Sequence, residues 1–130
     1  MFVDSSVLVA ILSDEEDAAA WAERIEGEGN CVTSPLVVLE STMRLSSKLS
    51  VEPAAVGAVV AGFLADAAVT VVAIEPADSS VAIDAFQRYG KGRGHNAQLN
   101  LADCLSYACA RRLGIGLLYK GGDFSRTDLA

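Results

Sequence analysis

Short apolar runs alternate along the chain with longer stretches in which apolar residues recur every three or four positions. The short runs predict strands at residues 1–3, 30–33, 69–74 and 115–119, and the last two are apolar enough to be buried strands. The longer stretches predict helices over residues 4–12, 14–28, 35–49, 51–67, 76–89 and 100–113. This alternation predicts an α/β fold in which helices sandwich an open parallel sheet.

Spacing within two of these helices also predicts which side chains are buried. Apolar positions that share one helical face should point to the core. They are Val56, Val59, Val60 and Phe63 in the earlier helix and Ala82, Ala85, Phe86 and Tyr89 in the later one. The sequence GKGRGHNAQ at residues 90–98 has three glycines and no periodicity, which predicts a flexible basic loop with a solvated His95.

Length and composition narrow the class of protein. A chain of 130 residues has room for one core, so we expect a single domain over residues 1–130. No uncharged apolar run reaches the ~20 residues that a membrane span needs, and the apolar start lacks the flanks of a secretory signal. The three cysteines cannot all pair and form no CxxC motif. We therefore expect a cytoplasmic protein without a membrane partner.

Charge is distributed unevenly along the chain. The net charge is −7, which argues against binding nucleic acid by overall attraction. Residues 1–84 carry 3 Lys and Arg against 14 Asp and Glu, whereas residues 85–130 carry 7 against 3. Only the last third can therefore face phosphates, although an uneven spread of surface charge explains the same counts.

Four acidic residues stand where a parallel sheet binds its ligands, beyond the carboxyl ends of the strands. Asp4 follows the first strand, Asp103 lies in the first turn of a helix, and Asp123 follows the last strand. Each also has an ordinary structural explanation: an N-cap for Asp4, a capping box with Asn100 for Asp103, and a turn for Asp123. The fourth, Glu40, lies on a largely apolar helical face, where a buried carboxylate needs a partner.

Carboxylates gathered at one edge of a sheet repel one another unless they are protonated or bridged by a metal ion. An all-oxygen site suits Mg²⁺ or Mn²⁺, which can activate water and stabilise charge on a phosphate oxygen. The chemistry that this implies is phosphodiester hydrolysis. Ser6, two residues after Asp4, can hydrogen-bond a ligating carboxylate or simply cap the helix.

Four sequence motifs carry a family resemblance over nearly the whole chain. They are VDSSVLVAIL, PLVVLES, RYGKGRGHNAQLNLADCLSYACAR and LLYKGGDFSRTDL. In this order and at this length the chain resembles the PIN-domain ribonuclease toxins of the VapC family. The resemblance implies a three-layer α/β/α PIN-like fold and a Mg²⁺- or Mn²⁺-dependent endoribonuclease. Its four acidic positions fall on Asp4, Glu40, Asp103 and Asp123, which are thereby catalytic and metal-binding candidates, with Ser6 at the usual hydroxyl position. Gly122 departs from the family, in which Asn or Asp often precedes the last acid.

The same resemblance implies several partners. The toxins of this family act on RNA, usually form homodimers, and are inhibited by a VapB-like antitoxin whose C-terminal segment covers the acidic pocket. DNA is bound only indirectly, through the antitoxin. The basic residues of the last third are the candidates for holding RNA phosphates. They are Arg88, Lys91, Arg93, Arg111, Arg112, Lys120 and Arg126.

Two other functions remain open at the level of sequence. A haloacid-dehalogenase-like phosphatase would use Asp4 as its nucleophile, and Gly122, Asp123 and Asp128 match its G-D-x4-D pattern. Against it, Ser6 replaces the expected second aspartate, and Glu40 and Asp103 would have no role. A non-catalytic, metal-binding signalling module is the second alternative, but the adjacent acidic pair that such modules use is absent.

Overall fold

Four parallel strands form the centre of the protein in the computed structural model, which describes all of residues 1–130. The strands are β1 (Phe2–Val3), β2 (Val32–Thr33), β3 (Thr70–Val71) and β4 (Leu117–Leu118). Their order across the sheet is β3-β2-β1-β4, with Phe2 in register with both Val32 and Leu117. The predicted open parallel sheet is confirmed, although each strand is shorter than its apolar run.

Pairs of helices connect successive strands. They are α1 (Ser5–Leu12), α2 (Ala18–Glu28), α3 (Pro35–Leu49), α4 (Pro53–Asp66), α5 (Asp78–Tyr89) and α6 (Leu101–Leu113). Because crossovers between parallel strands are right-handed, α1 to α4 cover one face of the sheet, and α5 and α6, on the return path from β3 to β4, cover the other. This is the predicted layering. None of the helices is long and apolar enough to cross a membrane.

Capping residues in the sequence explain where α1, α3 and α6 begin. Asp4 caps α1, Ser34 caps α3 by accepting a hydrogen bond from the Val37 N–H, and Pro35 occupies the first turn of α3. Asn100 and Asp103 form a reciprocal capping box on α6. The helix ends at Gly114, whose φ of 65° favours glycine. These caps fix the helix starts beside the ends of the strands.

Burial of the helices and of β3 differs in part from the prediction. The buried stripe of α4 runs through Val56, Val60 and Leu64, while Val59 is 57% exposed. Phe86 of α5 is 48% exposed, and Val71 in β3 is exposed as well. The predictions for Val59, Phe86 and β3 were therefore wrong. Strand β3 lies at the edge of the sheet, where an apolar, β-branched sequence does not ensure burial.

Hydrogen bonds hold the segment after α5 in place, although its glycines predicted a flexible loop. Lys91 N–H donates to the Leu99 carbonyl and Leu99 N–H to the Tyr89 carbonyl, which closes residues 90–99 into a loop. His95 is half-buried: its ring packs edge-on against Tyr89 and its Nδ1 accepts from the Ala97 N–H. The expectation of a solvated His95 was wrong, because the ring supports the loop internally.

Candidate active site

A polar pocket of about 240 Å³ opens at the edge of the sheet where β1 and β4 end. All four acids singled out in the sequence line it, together with hydroxyl, amide and basic side chains. The lining residues are Asp4, Ser5, Ser6, Glu40, Arg44, Asn100, Asp103, Lys120, Asp123 and Phe124. Because the carboxyl ends of parallel strands face one edge, residues from Asp4 to Asp123 meet there.

Asp4 is buried at the floor of this pocket and is only half satisfied by hydrogen bonds. Its Oδ2 accepts from the Ser6 N–H at 3.0 Å and from the Ser6 Oγ at 2.6 Å, which is the N-cap geometry of α1. Its Oδ1 is buried without any hydrogen-bond partner. Burial raises the pKa of Asp4 above its ordinary value, although the Ser6 hydrogen bonds act against that shift. An unpartnered buried carboxylate oxygen is costly, which points to a ligand at this atom.

Ser6 connects the two strands that frame the pocket. Besides donating to Asp4, its Oγ accepts from the Lys120 backbone N–H at 2.9 Å, just beyond β4. The hydroxyl thus orients the Asp4 carboxylate, which itself caps α1, and joins the start of the chain to its end. Of the two interpretations left open by the sequence, the hydrogen bond to the Asp4 carboxylate is observed, whereas the cap of α1 is Asp4.

Glu40 reaches the pocket from α3, and its partner is a hydroxyl, not a cation. Ser5 Oγ donates a short hydrogen bond to Glu40 Oε1. The guanidinium of Arg44, one helical turn further on, lies 3.4 Å from the same Ser5 Oγ. The sequence therefore gave the correct requirement for a partner of Glu40 but not its identity.

Asp103 is buried in the first turn of α6, and its capping bonds position it. Its Oδ2 accepts from the Asn100 N–H at 3.1 Å, while its own N–H donates to Asn100 Oδ1 at 2.9 Å. Burial, opposed by the Asn100 bond and reinforced by the charges of Asp4, Asp123 and Glu40, raises the pKa of Asp103 to about 7. The carboxylates of the pocket are therefore electrostatically coupled.

Asp123 completes the acidic lining from the turn that follows β4. It is exposed, in contrast to Asp4 and Asp103. Its neighbour Gly122 has open space: a Cβ there would meet only the Ser125 Oγ, 3.9 Å away. A larger polar residue would fit at this position, so the departure from the family at Gly122 is not imposed by packing.

Most of the predicted RNA-binding residues lie outside the pocket, and several are engaged in ion pairs. Arg88 and Arg111 contact Asp128, and Arg112 contacts the buried Asp78 at 2.7 Å. Lys120 does line the pocket, but its ammonium group contacts Glu15 at 2.6 Å and Asp17 at 2.9 Å. Three of the seven form no ion pair and are exposed: Lys91, Arg93 and Arg126.

Sequence reasoning missed two residues of the pocket. Ser5 had no predicted role, and Arg44 belongs to the acidic part of the chain, which the charge count did not favour for phosphate binding. One sequence feature indicates Arg44, since it stands four residues after Glu40 and therefore on the same face of α3. Asn100 was identified only as a cap, yet it also lines the pocket.

The pocket fits a hard divalent cation by its donor chemistry. No three acidic, histidine or cysteine side chains lie close enough together to enclose an ion by themselves. Mg²⁺, however, commonly takes only one or two carboxylates and keeps several waters. The four carboxylates are suitable oxygen donors, and the unpartnered Oδ1 of Asp4 is a free, buried one.

Comparison with known proteins gives consistent results. Residues 1–129 match the PIN domain family. The chain is 39% identical to ribonuclease VapC30 of Mycobacterium tuberculosis over 100% of this chain and 96% of that protein. It is 37% identical to a VapC ribonuclease of Rhizobium meliloti over 98% of each. Its fold is similar to that of the Mycobacterium tuberculosis toxin VapC20, described as cleaving the sarcin-ricin loop. The superposition has a TM-score of 0.77 at 20% sequence identity, and it covers 99% of this chain and 95% of VapC20.

Proposed function

Because the chain belongs to the PIN-domain family, among the VapC ribonucleases, we propose that it is the endoribonuclease toxin of a type II toxin–antitoxin module. It hydrolyses RNA phosphodiester bonds at the pocket formed by Asp4, Glu40, Asp103 and Asp123. The observation that carries this proposal is that these four acids line one pocket in which the Oδ1 of Asp4 is buried without a partner. A phosphatase that used Asp4 as nucleophile would leave Glu40 and Asp103 without a role, and neither alternative function is favoured by the family.

We further propose Mg²⁺ or Mn²⁺ as the cofactor, held in the pocket that these four carboxylates line, with water completing its coordination. When bound, the ion would activate water and stabilise charge on a phosphate oxygen. The protein's own contribution is to orient the carboxylates: Ser6 fixes Asp4, Ser5 fixes Glu40, and the Asn100 N–H fixes Asp103. Supporting hydrogen bonds of this kind hold ligating carboxylates in position.

The test of this proposal is removal of one carboxylate charge at a time. We expect Asp4→Asn and Asp103→Asn each to lower RNA cleavage by about a hundredfold or more, because each substitution removes a ligand charge without removing a core side chain. Cleavage of a labelled RNA is followed with Mg²⁺ or Mn²⁺, and circular dichroism verifies the fold. Asp84→Asn, at a surface position of α5, is the matched control. Metal-dependent cleavage retained in both pocket variants would refute the proposal.

The proposed partners are RNA and a VapB-like antitoxin whose C-terminal segment covers the acidic pocket. DNA is reached only through the antitoxin. We also propose a homodimer, formed through a face of α5 and α6 on which Ile83, Phe86 and Leu101 are 66%, 48% and 77% exposed around a hollow of about 460 Å³. A group of large exposed apolar side chains is typical of an interaction surface.

The homodimer can be tested by placing a charge on that face. We expect Ile83→Glu to convert a dimer into a monomer in analytical ultracentrifugation, because the carboxylate would be desolvated in the interface. Val59→Glu on α4, at a position of similar exposure, should leave the dimer intact. A wild-type protein that sediments as a monomer, or an Ile83→Glu dimer, would contradict this interface.

A further inference from the structure

Arg44 occupies an unusual position at the mouth of the acidic pocket. It lies on α3 one turn after Glu40, and its Nη1 is 3.4 Å from Ser5 Oγ. It lines the pocket together with the four acids, and its side chain is exposed to solvent. A cation beside so many carboxylates would ordinarily be expected to pair with one of them.

Arg44 nevertheless forms no ion pair. Its nitrogen atoms lie more than 4.0 Å from every carboxylate oxygen, whereas the other two cations nearby, Lys48 and Lys120, both contact Glu15. Ser5 Oγ donates to Glu40 Oε1, and the guanidinium of Arg44 contacts the same Ser5 hydroxyl instead of a carboxylate. Apart from its one long contact to Ser5, the five N–H donors of Arg44 remain available.

Arg44 also stands where two hollows of the surface meet. Besides the acidic pocket, it lines a shallower groove along α3 whose other residues include Met43, Ser47 and Lys48. A strand of RNA that follows this groove therefore passes the Arg44 guanidinium before its phosphate reaches the acids. Four carboxylates repel a phosphate, so a cation at this entry lowers the electrostatic cost of approach.

We propose that Arg44 binds a non-bridging phosphate oxygen of the RNA and holds that phosphate at the entrance of the acidic pocket. This inference rests on the proposed ribonuclease function. The planar guanidinium offers paired donors that match phosphate oxygens, which a lysine ammonium does not. Lys120, the other basic residue of the pocket, is occupied by Glu15 and Asp17 and does not substitute for it.

The experiment measures binding of a short fluorescent single-stranded RNA in EDTA over a range of salt concentrations. Arg44→Gln should weaken binding about tenfold, the size expected for one charge-assisted hydrogen bond. It should also reduce the magnitude of the slope of log affinity against log salt by about 0.7, the contribution of one phosphate contact in single strands. Arg44→Lys should restore the slope but only part of the affinity, because it keeps the charge and loses the paired donors.

Arg24→Gln is the matched control, since Arg24 is an exposed arginine on α2 that pairs with Glu28. It should bind and cleave RNA as the wild type does. In the presence of metal, Arg44→Gln should raise KM for RNA by a similar factor. If Arg44→Gln binds with wild-type affinity and salt slope while the wild type cleaves RNA, Arg44 is not a phosphate-binding residue and the ribonuclease function stands. If the wild type neither binds nor cleaves RNA, the proposed function fails and the inference fails with it.

Discussion

At the scale of single residues, structural and chemical roles coincide in this protein. Asp4 and Asp103 cap helices by accepting backbone N–H bonds, and the same carboxylates line the acidic pocket. For Asp4 the coincidence has a geometric cause, because the first turn of a helix that follows a parallel strand lies at the edge where the pocket forms. Asp103 reaches the same pocket from the start of α6, which follows a loop. A capping pattern in the sequence therefore does not argue against a functional role at these positions.

The raised pKa of Asp103 predicts how stability varies with pH in the absence of metal. At a pH between the ordinary pKa of 3.8 and the folded pKa of about 7, Asp103 is protonated in the folded state and ionised in the unfolded state. The free energy of unfolding should therefore fall as pH rises through this window, by at most about 4 kcal/mol. Urea unfolding in EDTA at a series of pH values measures the change.

The variant Asp103→Asn distinguishes the contribution of Asp103 to this pH dependence from the contributions of the other carboxyl groups. The amide cannot ionise, so the variant should lose the Asp103 part of the pH dependence and be the more stable protein above pH ~7 without metal. Asp4, whose pKa is also raised, contributes with the same sign in both proteins. Identical pH profiles for wild type and variant would show that Asp103 ionises normally.

At the scale of elements, sequence periodicity predicted the positions of the helices well but predicted less well which of their apolar side chains are buried. All six helices lie where apolar spacing predicted them. Spacing reveals which residues share a helical face, but it does not reveal how much of that face a neighbour covers. On α4 the covered stripe is narrower than its apolar face, so Val60 is buried and Val59 is exposed. The same holds for strands: β3 and β4 are both apolar edge strands, yet β3 is exposed and β4 is buried.

Adjacent valines on α4 provide a direct test of this burial pattern. Val60→Ala should lower the free energy of unfolding by about 2 kcal/mol, because it removes two buried carbons and leaves a cavity. Val59→Ala should change it by less than about 0.5 kcal/mol, since the side chain is mostly exposed. Chemical denaturation of the two variants side by side measures both values. Equal losses would mean that the two faces of α4 are covered alike.

At the scale of the whole molecule, the acidic site was largely predictable and its cationic surroundings were not. Three of the four acids could be identified because they follow a strand or begin a helix, and Glu40 because it is a lone charge on a largely apolar helical face. The charge count favoured the last third as the region that faces phosphates. Yet most of its arginines are tied to Asp78 or Asp128, while Arg44, from the acidic part, lies in the pocket. Ion pairing depends on tertiary contacts that a charge count does not contain.

One of those ion pairs ties α5 and α6 to each other and to the edge of the sheet. Asp78 is fully buried and accepts from Arg112 at 2.7 Å and from the Glu75 N–H at 2.8 Å. Arg112 also donates to the Ala73 carbonyl just after β3. Burial acts to raise the pKa of Asp78, but these hydrogen bonds outweigh it and hold the pKa below its ordinary value. Helices α5 and α6 are thus anchored to the edge of the sheet.

Asp78→Asn should lower the free energy of unfolding by about 3 kcal/mol at neutral pH, because Arg112 would keep a partly buried charge without its partner. Since the pKa of Asp78 is lowered, the stabilisation is present at neutral pH and is lost as pH falls through the folded pKa. Asp84→Asn, which breaks an exposed pair with Arg88 on the same helix, should cost less than about 1 kcal/mol. Urea denaturation of both variants compares the costs, and equal values would remove the special role of Asp78.

The contact between Arg112 and Ala73 has a consequence for self-association. The outer side of an edge strand carries unpaired backbone groups onto which another chain can add, and long exposed edges promote aggregation. Here β3 pairs over only two residues, and Arg112 occupies the carbonyl of Ala73 two positions later. At this edge β3 therefore offers a second molecule one free backbone acceptor fewer. An arginine counted at first as a candidate for binding RNA instead satisfies a backbone acceptor at the edge of the sheet.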